Sequence, residues 1–237
     1  MTLLDHVLPD AAANLALDEA LLLAAEEDGT GEVLRLWESP SLAAIVGAGG
    51  SVTLDVNRAA CEAERVPILR RASGGGTVLL GPGCLGYSLI LRTDRTPGLD
   101  LIQPSTRYVL NKVLNAIRSV APEAVIQGTS DLAANGLKFS GNAQQRKRKH
   151  FLHHGTLLCG FDLACVSRLL HPPERQPDYR RDRPHAEFLT NLPATVAELK
   201  QLLVSEWQPD GICEAPLARV QQLIAEKYGR DEWNRRR

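Results

Sequence analysis

The spacing of apolar residues along the chain predicts helices and strands in a mixed order. An opening helix is predicted from Asp10 to Asp28, where alanine and leucine dominate and Asp10 can serve as the N-cap. Apolar residues at helical spacing predict a second long helix from Leu99 to Val120. Short apolar runs between glycine and proline breaks are typical of strands, and they cover residues 32–37, 42–46, 66–71, 77–80 and 85–92.

The second half of the chain returns to strands before it ends in helices. Strands are predicted between Ala124 and Cys159, with Asn135-Gly136 as a two-residue hairpin turn. Shorter helices are predicted over residues 57–65, 162–170, 195–207 and 215–228. This order is neither a strict β–α alternation nor all-β, so we predict an α+β fold with a mixed sheet flanked by helices. Without internal repeats, residues 1–237 are expected to form a single domain.

Net charge, the length of apolar runs and the spacing of cysteines exclude several classes of function. The formal net charge of -1 argues against a general nucleic-acid binder. No apolar run approaches membrane-spanning length and no signal peptide precedes the first helix, so a cytoplasmic location without membrane contact is expected. The five cysteines are scattered and form no Cys-x-x-Cys pair, which argues against a zinc site and a disulfide framework.

The most informative motif is the segment from Arg70 to Thr77, in which two arginines are followed by Ala-Ser-Gly-Gly-Gly. Glycine adopts positive φ and lets a ligand approach the main chain closely. Successive N–H groups in such a turn form an anion-binding concavity, and a neighbouring guanidinium offers a planar fork for phosphate or carboxylate. The motif alone permits two interpretations, a tight bend or a phosphate cradle.

A second motif follows the predicted hairpin turn. Lys138 and Ser140 should point to one face of a strand and Phe139 to the other. A lysine beside a turn is ordinarily solvated, but the following Ser-Gly pair allows close approach to another backbone and marks Lys138 as a candidate. Further along, His153-His154 precedes Gly155, and the pair is expected to orient its strand by hydrogen bonds.

Three other segments have a composition that predicts their structure or function. Residues 171–187 are rich in proline and charge without periodicity, so they form a long loop that is either a functional lid or disordered. The basic run 146–149 is either a solvated turn or a rim that steers an acidic partner. Arg235-Arg236-Arg237 is expected to be a frayed, solvated end.

Taken together, these motifs resemble the lipoate–protein ligase family, within the wider biotin/lipoyl protein ligase fold. The resemblance runs in order along nearly the whole chain, through residues 14–20, Leu36-Trp37, 70–76, Asp131-Leu132, 138–143, 153–158 and 190–192. It implies the fold of the class II aminoacyl-tRNA synthetase and biotin synthetase catalytic domains. The combination of the arginine–triple-glycine, Lys-x-Ser-Gly and His-His-Gly-Thr-Leu segments is specific for the superfamily and less specific for the reaction.

The resemblance implies a two-step ligase that uses ATP and Mg²⁺. Lipoate attacks the α-phosphate of ATP to give lipoyl-AMP, and a lysine of an acceptor then takes the lipoyl group. Lys138 matches the catalytic lysine, Arg71 the arginine at the adenylate phosphate, and Trp37 either lines the dithiolane tunnel or packs in the core. Asp131 is a candidate Mg²⁺ ligand. The remaining implied contacts to substrate or adenylate are Ser73, Gly74, Gly75, Gly76, Thr77, Cys84, Asp131, Ser140, Gly141, His154, Gly155 and Thr156.

The resemblance also implies partners. The acceptor would be a lipoyl domain or a protein like the glycine-cleavage H protein. Family members often carry a small accessory domain after the catalytic domain, and this chain ends where the catalytic domain does, so a separate accessory subunit is a candidate partner. Two departures stand out: Cys84 replaces a usual Asn or Gln, and Ala48-Gly49 stands where Gln-Asn is usual.

Three alternatives remain open at this stage. The first is an octanoyl or lipoyl transferase, which moves an acyl group between carrier proteins through a cysteine thioester and needs no ATP. The places where transferases carry that cysteine hold residues 171–187 and 128–130, which contain none. The others are a biotin ligase, whose arginine-glycine loop has a different order, and a homologue that binds lipoyl groups without turnover.

Overall fold

A computed structural model describes all residues from 1 to 237. The strands are β1 Thr2–Asp5, β2 Val33–Glu38, β3 Ala43–Val46, β4 Ile68–Arg70, β5 Val78–Leu80, β6 Cys84–Arg92, β7 Val125–Gln127, β8 Asp131–Ala134, β9 Leu137–Arg146, β10 His150–Leu158 and β11 Gly211–Ile212. The α-helices are α1 Ala11–Leu23, α2 Val52–Asp55, α3 Arg58–Ala63, α4 Ile102–Ala116, α5 Ala164–Leu169, α6 His185–Phe188, α7 Val196–Trp207, α8 Leu217–Leu223 and α9 Asp231–Asn234. Wider π-helical turns extend α1 over Ala24–Asp28 and α8 over Ile224–Tyr228, and a 3₁₀ turn covers Asp178–Arg180. No helix has the length and apolar character that a bilayer crossing requires.

The strands form a large mixed sheet and a small one. The large sheet has the order β11-β1-β2-β6-β10-β9-β8-β7, with β11, β1 and β2 parallel and the remaining pairs antiparallel. The small sheet has the order β4-β3-β5 and includes one parallel pair. The predicted α+β class and mixed sheet flanked by helices are confirmed.

The large sheet buries both faces, and the two faces differ in chemistry. Alternate residues of β2, β6 and β10 contribute Leu34, Leu89 and Phe151 to an apolar core cluster under α4 and α7. The opposite face, under α1 and the small sheet, carries apolar residues together with Arg35 and Ser88. A polar set on an otherwise buried face is unusual, since buried polar groups require partners, and it marks the location of the candidate site.

The local signals in the sequence set most of the predicted elements. The Asp10 side chain accepts a hydrogen bond from the Ala13 N–H at 2.8 Å and begins α1 as predicted. Thr195 and Glu198 form a capping box that begins α7. Asn135 and Gly136 both have positive φ (53° and 75°), as the predicted two-residue turn between β8 and β9 requires. The sequence analysis missed β1, β11 and the short α2, which are too brief to show periodicity.

Two predictions about irregular segments are corrected. The chain end is not frayed: the Arg237 carbonyl accepts the Val52 N–H at 2.9 Å, and the Asn234 side chain accepts the Arg70 N–H at 3.0 Å. The side chains of residues 235–237 are exposed, but their backbone is docked. Of the two alternatives for residues 171–187, disorder is the one corrected, because the segment contains a 3₁₀ turn and α6, which begins within it, packs beside β9.

Candidate active site

Two adjoining cavities lie beneath α1 and beside β9. We call the first the inner cavity, of about 180 Å³, and the second the outer cavity, of about 440 Å³. The inner cavity lies between α1, the large sheet and the turn at residues 74–76, which we call the glycine turn. The outer cavity opens toward α5, α6 and the segment 171–187. They share a wall formed by Gly76, Thr77, Val78, Ser130, Asp131, Lys138, Gly141 and Thr156.

The inner cavity has an apolar floor. Leu15, Ile45, Val78 and Leu80 line it together with the ring of Trp37. Trp37 also belongs to the core cluster, so it packs in the core and lines the cavity at once. Gly86 makes room for the indole, since a Cβ at Gly86 would lie 2.9 Å from two indole atoms. The floor therefore suits an apolar chain of modest volume.

A buried polar chain crosses the inner cavity. Arg35 donates from Nη1 to Asp18 Oδ1 at 2.6 Å, and Asp18 Oδ2 lies 3.0 Å from His154 Nδ1. His154 Nε2 lies 2.6 Å from Ser73 Oγ, which accepts a hydrogen bond from Arg71 Nε at 3.0 Å. This series of hydrogen bonds thus connects α1, β2 and β10 to the glycine turn.

The ionisation of Asp18 fixes the direction of these hydrogen bonds. Burial alone raises the pKa of Asp18, but the charge of Arg35 and the hydrogen bond to His154 outweigh it and hold the pKa below its usual range. An ionised carboxylate only accepts, so His154 carries its hydrogen on Nδ1. Neither ring nitrogen of His154 is then free for a substrate proton.

The Asp18–His154–Ser73 order is that of a hydrolase triad, yet the environment of Ser73 is different. A nucleophilic serine must reach the reacting carbonyl. Ser73 is 1% exposed and lines neither the inner nor the outer cavity. These hydrogen-bonded side chains therefore hold the glycine turn in position, and Ser73 does not attack substrate.

Arg71 is the residue around which the glycine turn folds. Its Nη2 donates to the carbonyls of Gly74 (2.6 Å) and Gly76 (2.8 Å), and its Nη1 donates to the Ile45 carbonyl at 3.2 Å. Burial without a carboxylate partner lowers the pKa of Arg71 to about 10, so the side chain remains charged at neutral pH. Four of its five N–H donors are used within the protein. Arg71 lines the inner cavity, but most of its hydrogen bonding shapes the turn.

The turn itself requires glycine at two places. Gly75 has φ +88°, a conformation that L side chains rarely adopt. Gly47 faces it, and a Cβ at Gly47 would lie 2.0 Å from the Gly75 carbonyl oxygen. Gly75 and Gly76 present their backbone to the inner cavity, whereas Gly74 does not line either cavity.

Lys138 lies where the two cavities meet. It is near the start of β9, with Phe139 fully buried behind it, and its Nζ lies 2.8 Å from Asp131 Oδ1. Its side chain crosses over Gly141, where a Cβ would lie 3.2 Å from Nζ. The lysine is about a quarter exposed and paired at only one carboxylate oxygen. It can therefore donate to an oxygen placed in either cavity.

The other oxygen of Asp131 is also engaged. Tyr179 Oη donates to Asp131 Oδ2 at 2.8 Å, and burial together with the Asp131 charge raises the pKa of the Tyr179 phenol. No group of three or more His, Cys, Asp or Glu side chains could hold a metal ion. Both oxygens of Asp131 are thus engaged by Lys138 and Tyr179, and its role as a Mg²⁺ ligand stays a prediction.

Asn142 and Tyr87 support the shared wall and were missed by the sequence analysis. Asn142 Nδ2 donates to the Ser130 carbonyl at 2.8 Å, and its Oδ1 accepts a hydrogen bond from Tyr87 Oη. Gly155 makes this possible, because a Cβ there would lie 1.8 Å from Asn142 Oδ1. Asp18, Arg35 and Ser88 were likewise not predicted as site residues, since a buried charge carries no local signal in the sequence.

Most of the predicted site residues come together. The residues among them that line the inner cavity are Trp37, Arg71, Gly75, Gly76, Thr77, Asp131, Lys138, Gly141, His154, Gly155 and Thr156. Ser140 lines only the outer cavity, while Ser73 and Gly74 stand behind the cavities.

Cys84 is not brought to the site, and the expectation that it contacts substrate is corrected. It is 1% exposed at the start of β6, within the core cluster, and lines neither cavity. Burial, together with the neighbouring Cys159 and Glu38, raises the pKa of the Cys84 thiol to about 12. Such a thiol is protonated at neutral pH.

Comparison with known proteins agrees with this geometry. The model of the lipoyl protein ligase A/B catalytic domain matches residues 10–221, so the chain belongs to that family. A relative from Aeropyrum pernix carrying the name lipoate-protein ligase A is 33% identical over 67% of this chain, and the match spans only 58% of that relative's length. The octanoyltransferase LipM of Halalkalibacterium halodurans is 25% identical over 96% of both chains.

Solved structures share the fold. The bipartite lipoate protein ligase of Thermoplasma acidophilum, studied with its E2 lipoyl domain, matches with a TM-score of 0.82 at 21% identity, covering 99% of this chain and 95% of the other. A lipoate-protein ligase A bound with ATP matches with a TM-score of 0.80 at 22% identity, covering 99% and 98%. The family and the catalytic-domain fold implied by the sequence motifs are thus confirmed.

Proposed function

We propose that this protein is an ATP-dependent lipoate–protein ligase. It converts lipoate and ATP to lipoyl-AMP and pyrophosphate and then transfers the lipoyl group to a lysine of an acceptor domain. The observation that carries the proposal is the position of Lys138 at the junction of a small cavity with an apolar floor and a larger cavity lined by Arg175 and Arg180. A mixed acyl–phosphate anhydride has the same division, with an apolar tail on one side and phosphate on the other.

The inner cavity supplies the acyl subsite. An apolar floor beside Trp37 buries the tail, while the glycine turn and Lys138 surround the carboxylate end. Burying apolar surface stabilises such a complex by about 25 cal/mol per Å². The turn, held by Arg71 and Ser73, presents backbone at Gly75 and Gly76 without side chains in the way.

Lys138 supplies the electrostatic contribution to both steps. In the first step a carboxylate oxygen bonds to the α-phosphorus while the bond to the pyrophosphate oxygen breaks, and negative charge accumulates between the groups. In the second step the acyl carbonyl gains negative charge as the acceptor amine attacks, and the bond to the phosphate oxygen then breaks, releasing AMP while the amine gives up a proton. A fixed ammonium in a partly dry site stabilises both developing charges. Its pairing with Asp131 holds it in place before substrate arrives.

The site argues against a cysteine-dependent transferase. No cysteine lines the inner or the outer cavity. Burial raises the pKa of all five thiols, so none is an activated thiolate. The similarity to LipM makes octanoyl transfer the second candidate, and ATP dependence separates the two.

The deciding experiment is a lipoylation assay analysed by mass spectrometry. The enzyme is incubated with free lipoate, ATP and a purified lipoyl domain or an H-like acceptor, with and without Mg²⁺, and pyrophosphate is measured in parallel. We expect pyrophosphate release and an acceptor heavier by one lipoyl group. Transfer from an octanoylated carrier protein without ATP, and no pyrophosphate with lipoate, would establish the transferase instead.

A further inference from the structure

Arg180 is a buried arginine whose charge has no partner. It lies in the 3₁₀ turn of the segment 171–187, is 4% exposed, and lines the outer cavity. Only its Nε is used, donating to the Arg183 carbonyl at 2.9 Å. Neither terminal nitrogen has a hydrogen-bond partner, Nη2 is fully enclosed, and no carboxylate lies within ion-pair distance.

The other buried arginines of the site differ. Arg35 is paired with Asp18, and Arg71 donates to three carbonyls and a hydroxyl. A buried guanidinium without an anion costs free energy unless a ligand compensates it. Arg180 packs over the ring of Phe188, with 4.7 Å from its central carbon to the ring centroid, so it is held in place while its donors remain unused.

The charges around the outer cavity are predominantly positive. Besides Arg180 they include Arg175 and Lys138, whereas burial lowers the pKa of His185 and leaves that imidazole neutral at neutral pH. The two carboxylates of the cavity are already engaged: Asp131 with Lys138 and Tyr179, and Asp55 with the Thr77 hydroxyl at 2.7 Å. Neither lining carboxylate forms an ion pair with Arg175 or Arg180, and the cavity volume of about 440 Å³ accommodates more than one phosphate group.

We propose that Arg180 is a binding residue for the polyphosphate of ATP, and that it holds the pyrophosphate that leaves when the acyl-adenylate forms. This inference rests on the proposed function, and it deepens it by assigning the two cavities to the two halves of the first reaction. With the reacting α-phosphorus beside Lys138, the β- and γ-phosphates extend into the outer cavity. The electron pair of the broken bond goes to the pyrophosphate oxygen that faces the guanidinium, and no proton transfer is required.

The test compares variants by calorimetric titration with pyrophosphate, ATP and lipoate. Arg180→Met removes the fork and Arg180→Lys keeps a charge without it. Arg181→Met is the matched control, since Arg181 is the exposed neighbour and lines neither cavity. A hydrogen-bonded charge contributes about 1.5–3 kcal/mol, roughly 10–100-fold in affinity. We expect Arg180→Met to weaken pyrophosphate and ATP binding at least about tenfold, Arg180→Lys less, and Arg181→Met less than about twofold.

Lipoate affinity should remain within about twofold in all three variants, because Arg180 does not line the inner cavity. Unchanged pyrophosphate affinity in Arg180→Met, or an equal loss in Arg181→Met, would overturn the inference. Thermal melting checks the fold, and if Arg180→Met unfolds, the comparison of Arg180→Lys with wild type decides.

The outcomes separate this inference from the proposed function. If the wild-type enzyme forms lipoyl-AMP but Arg180→Met binds pyrophosphate normally, the function stands and the inference fails. If the wild type releases no pyrophosphate from ATP and lipoate, the function fails, and the direct titration with pyrophosphate still decides the role of Arg180.

Discussion

The inner and outer cavities balance their buried cations in different ways. Around the inner cavity, Arg35 and Arg71 have nearly all their donors bound by the protein. Beside the outer cavity, Arg180 is equally buried but uses one donor only. The difference shows that burial alone does not identify a ligand-binding arginine, because the number of unused N–H groups carries that information.

The largest expected effect concerns Lys138, the residue that the two cavities share. Lys138→Ala should lower acceptor lipoylation by roughly 10²–10³-fold, since removing one donor to a developing oxyanion has about that effect. The measurement is the initial rate by mass spectrometry, with Lys147→Ala as the control. Intact lipoylation in Lys138→Ala would show that the catalytic assignment is wrong.

The next prediction compares Arg71 with Arg180 directly. Arg71→Met leaves the buried Ile45 carbonyl and the part-buried carbonyls of Gly74 and Gly76 without a donor, so it should reduce the free energy of unfolding by roughly 3 kcal/mol. Arg180→Met removes an unpaired buried charge and should change that free energy by less than about 1 kcal/mol in either direction. Urea denaturation measures both. Equal losses in the two variants would remove the distinction between a structural and a ligand-binding arginine.

An effect of similar size is expected from His153, on the sheet face opposite the inner cavity. Burial lowers its pKa to about 3, and its Nδ1 lies 3.2 Å from Gln144 Nε2. The unfolded imidazole binds a proton near pH 6.5, whereas the folded one does not until about pH 3, so protonation favours unfolding in that window. Stability should therefore fall by up to about 1.4 kcal/mol per unit as the pH drops below 6.5.

The variant His153→Leu should remove that part of the pH dependence, while the exposed His6→Leu should not. Denaturation at several pH values between 6.5 and 4 provides the test. An unchanged slope in His153→Leu would mean that other groups account for the acid sensitivity.

The smallest effect is expected from the basic run 146–149. Lys147, Arg148 and Lys149 are exposed, but nine residues of nearly continuous strand separate Lys147 from Lys138, which corresponds to roughly 30 Å at 3.3 Å per residue. The steering role considered for this run is therefore not favoured by the fold. Arg146 is excluded because it donates to the Leu99 carbonyl at 2.6 Å.

Reversing the three exposed charges should change the association rate with the acceptor by less than about twofold at low salt. Reversing Arg175, which lines the outer cavity, is the comparison and should slow association more. Stopped-flow measurements at two salt concentrations test both. A larger effect from the distant turn would indicate that the acceptor docks there.

The local features of this protein follow directly from the order of its residues. The caps of α1 and α7, the Asn135-Gly136 turn, the glycine turn after Arg71 and the position of Lys138 on its strand follow from interactions between residues close in the chain. Such interactions depend on backbone propensity and side-chain type, which the sequence states directly.

The tertiary structure alone decided which buried charges are satisfied. One series of hydrogen bonds joins residues up to 136 positions apart, and it runs from Arg35 through Asp18, His154 and Ser73 to Arg71. No local pattern in the sequence predicts it. Cys84 was a candidate because of its neighbours in sequence, but it lies in the core. Arg180 is one of several arginines in an irregular loop, but it lines a cavity and has no ion-pair partner. The cost of burying a charge depends on groups that only folding brings within hydrogen-bond distance, and this is the reason that the sequence could not assign these roles.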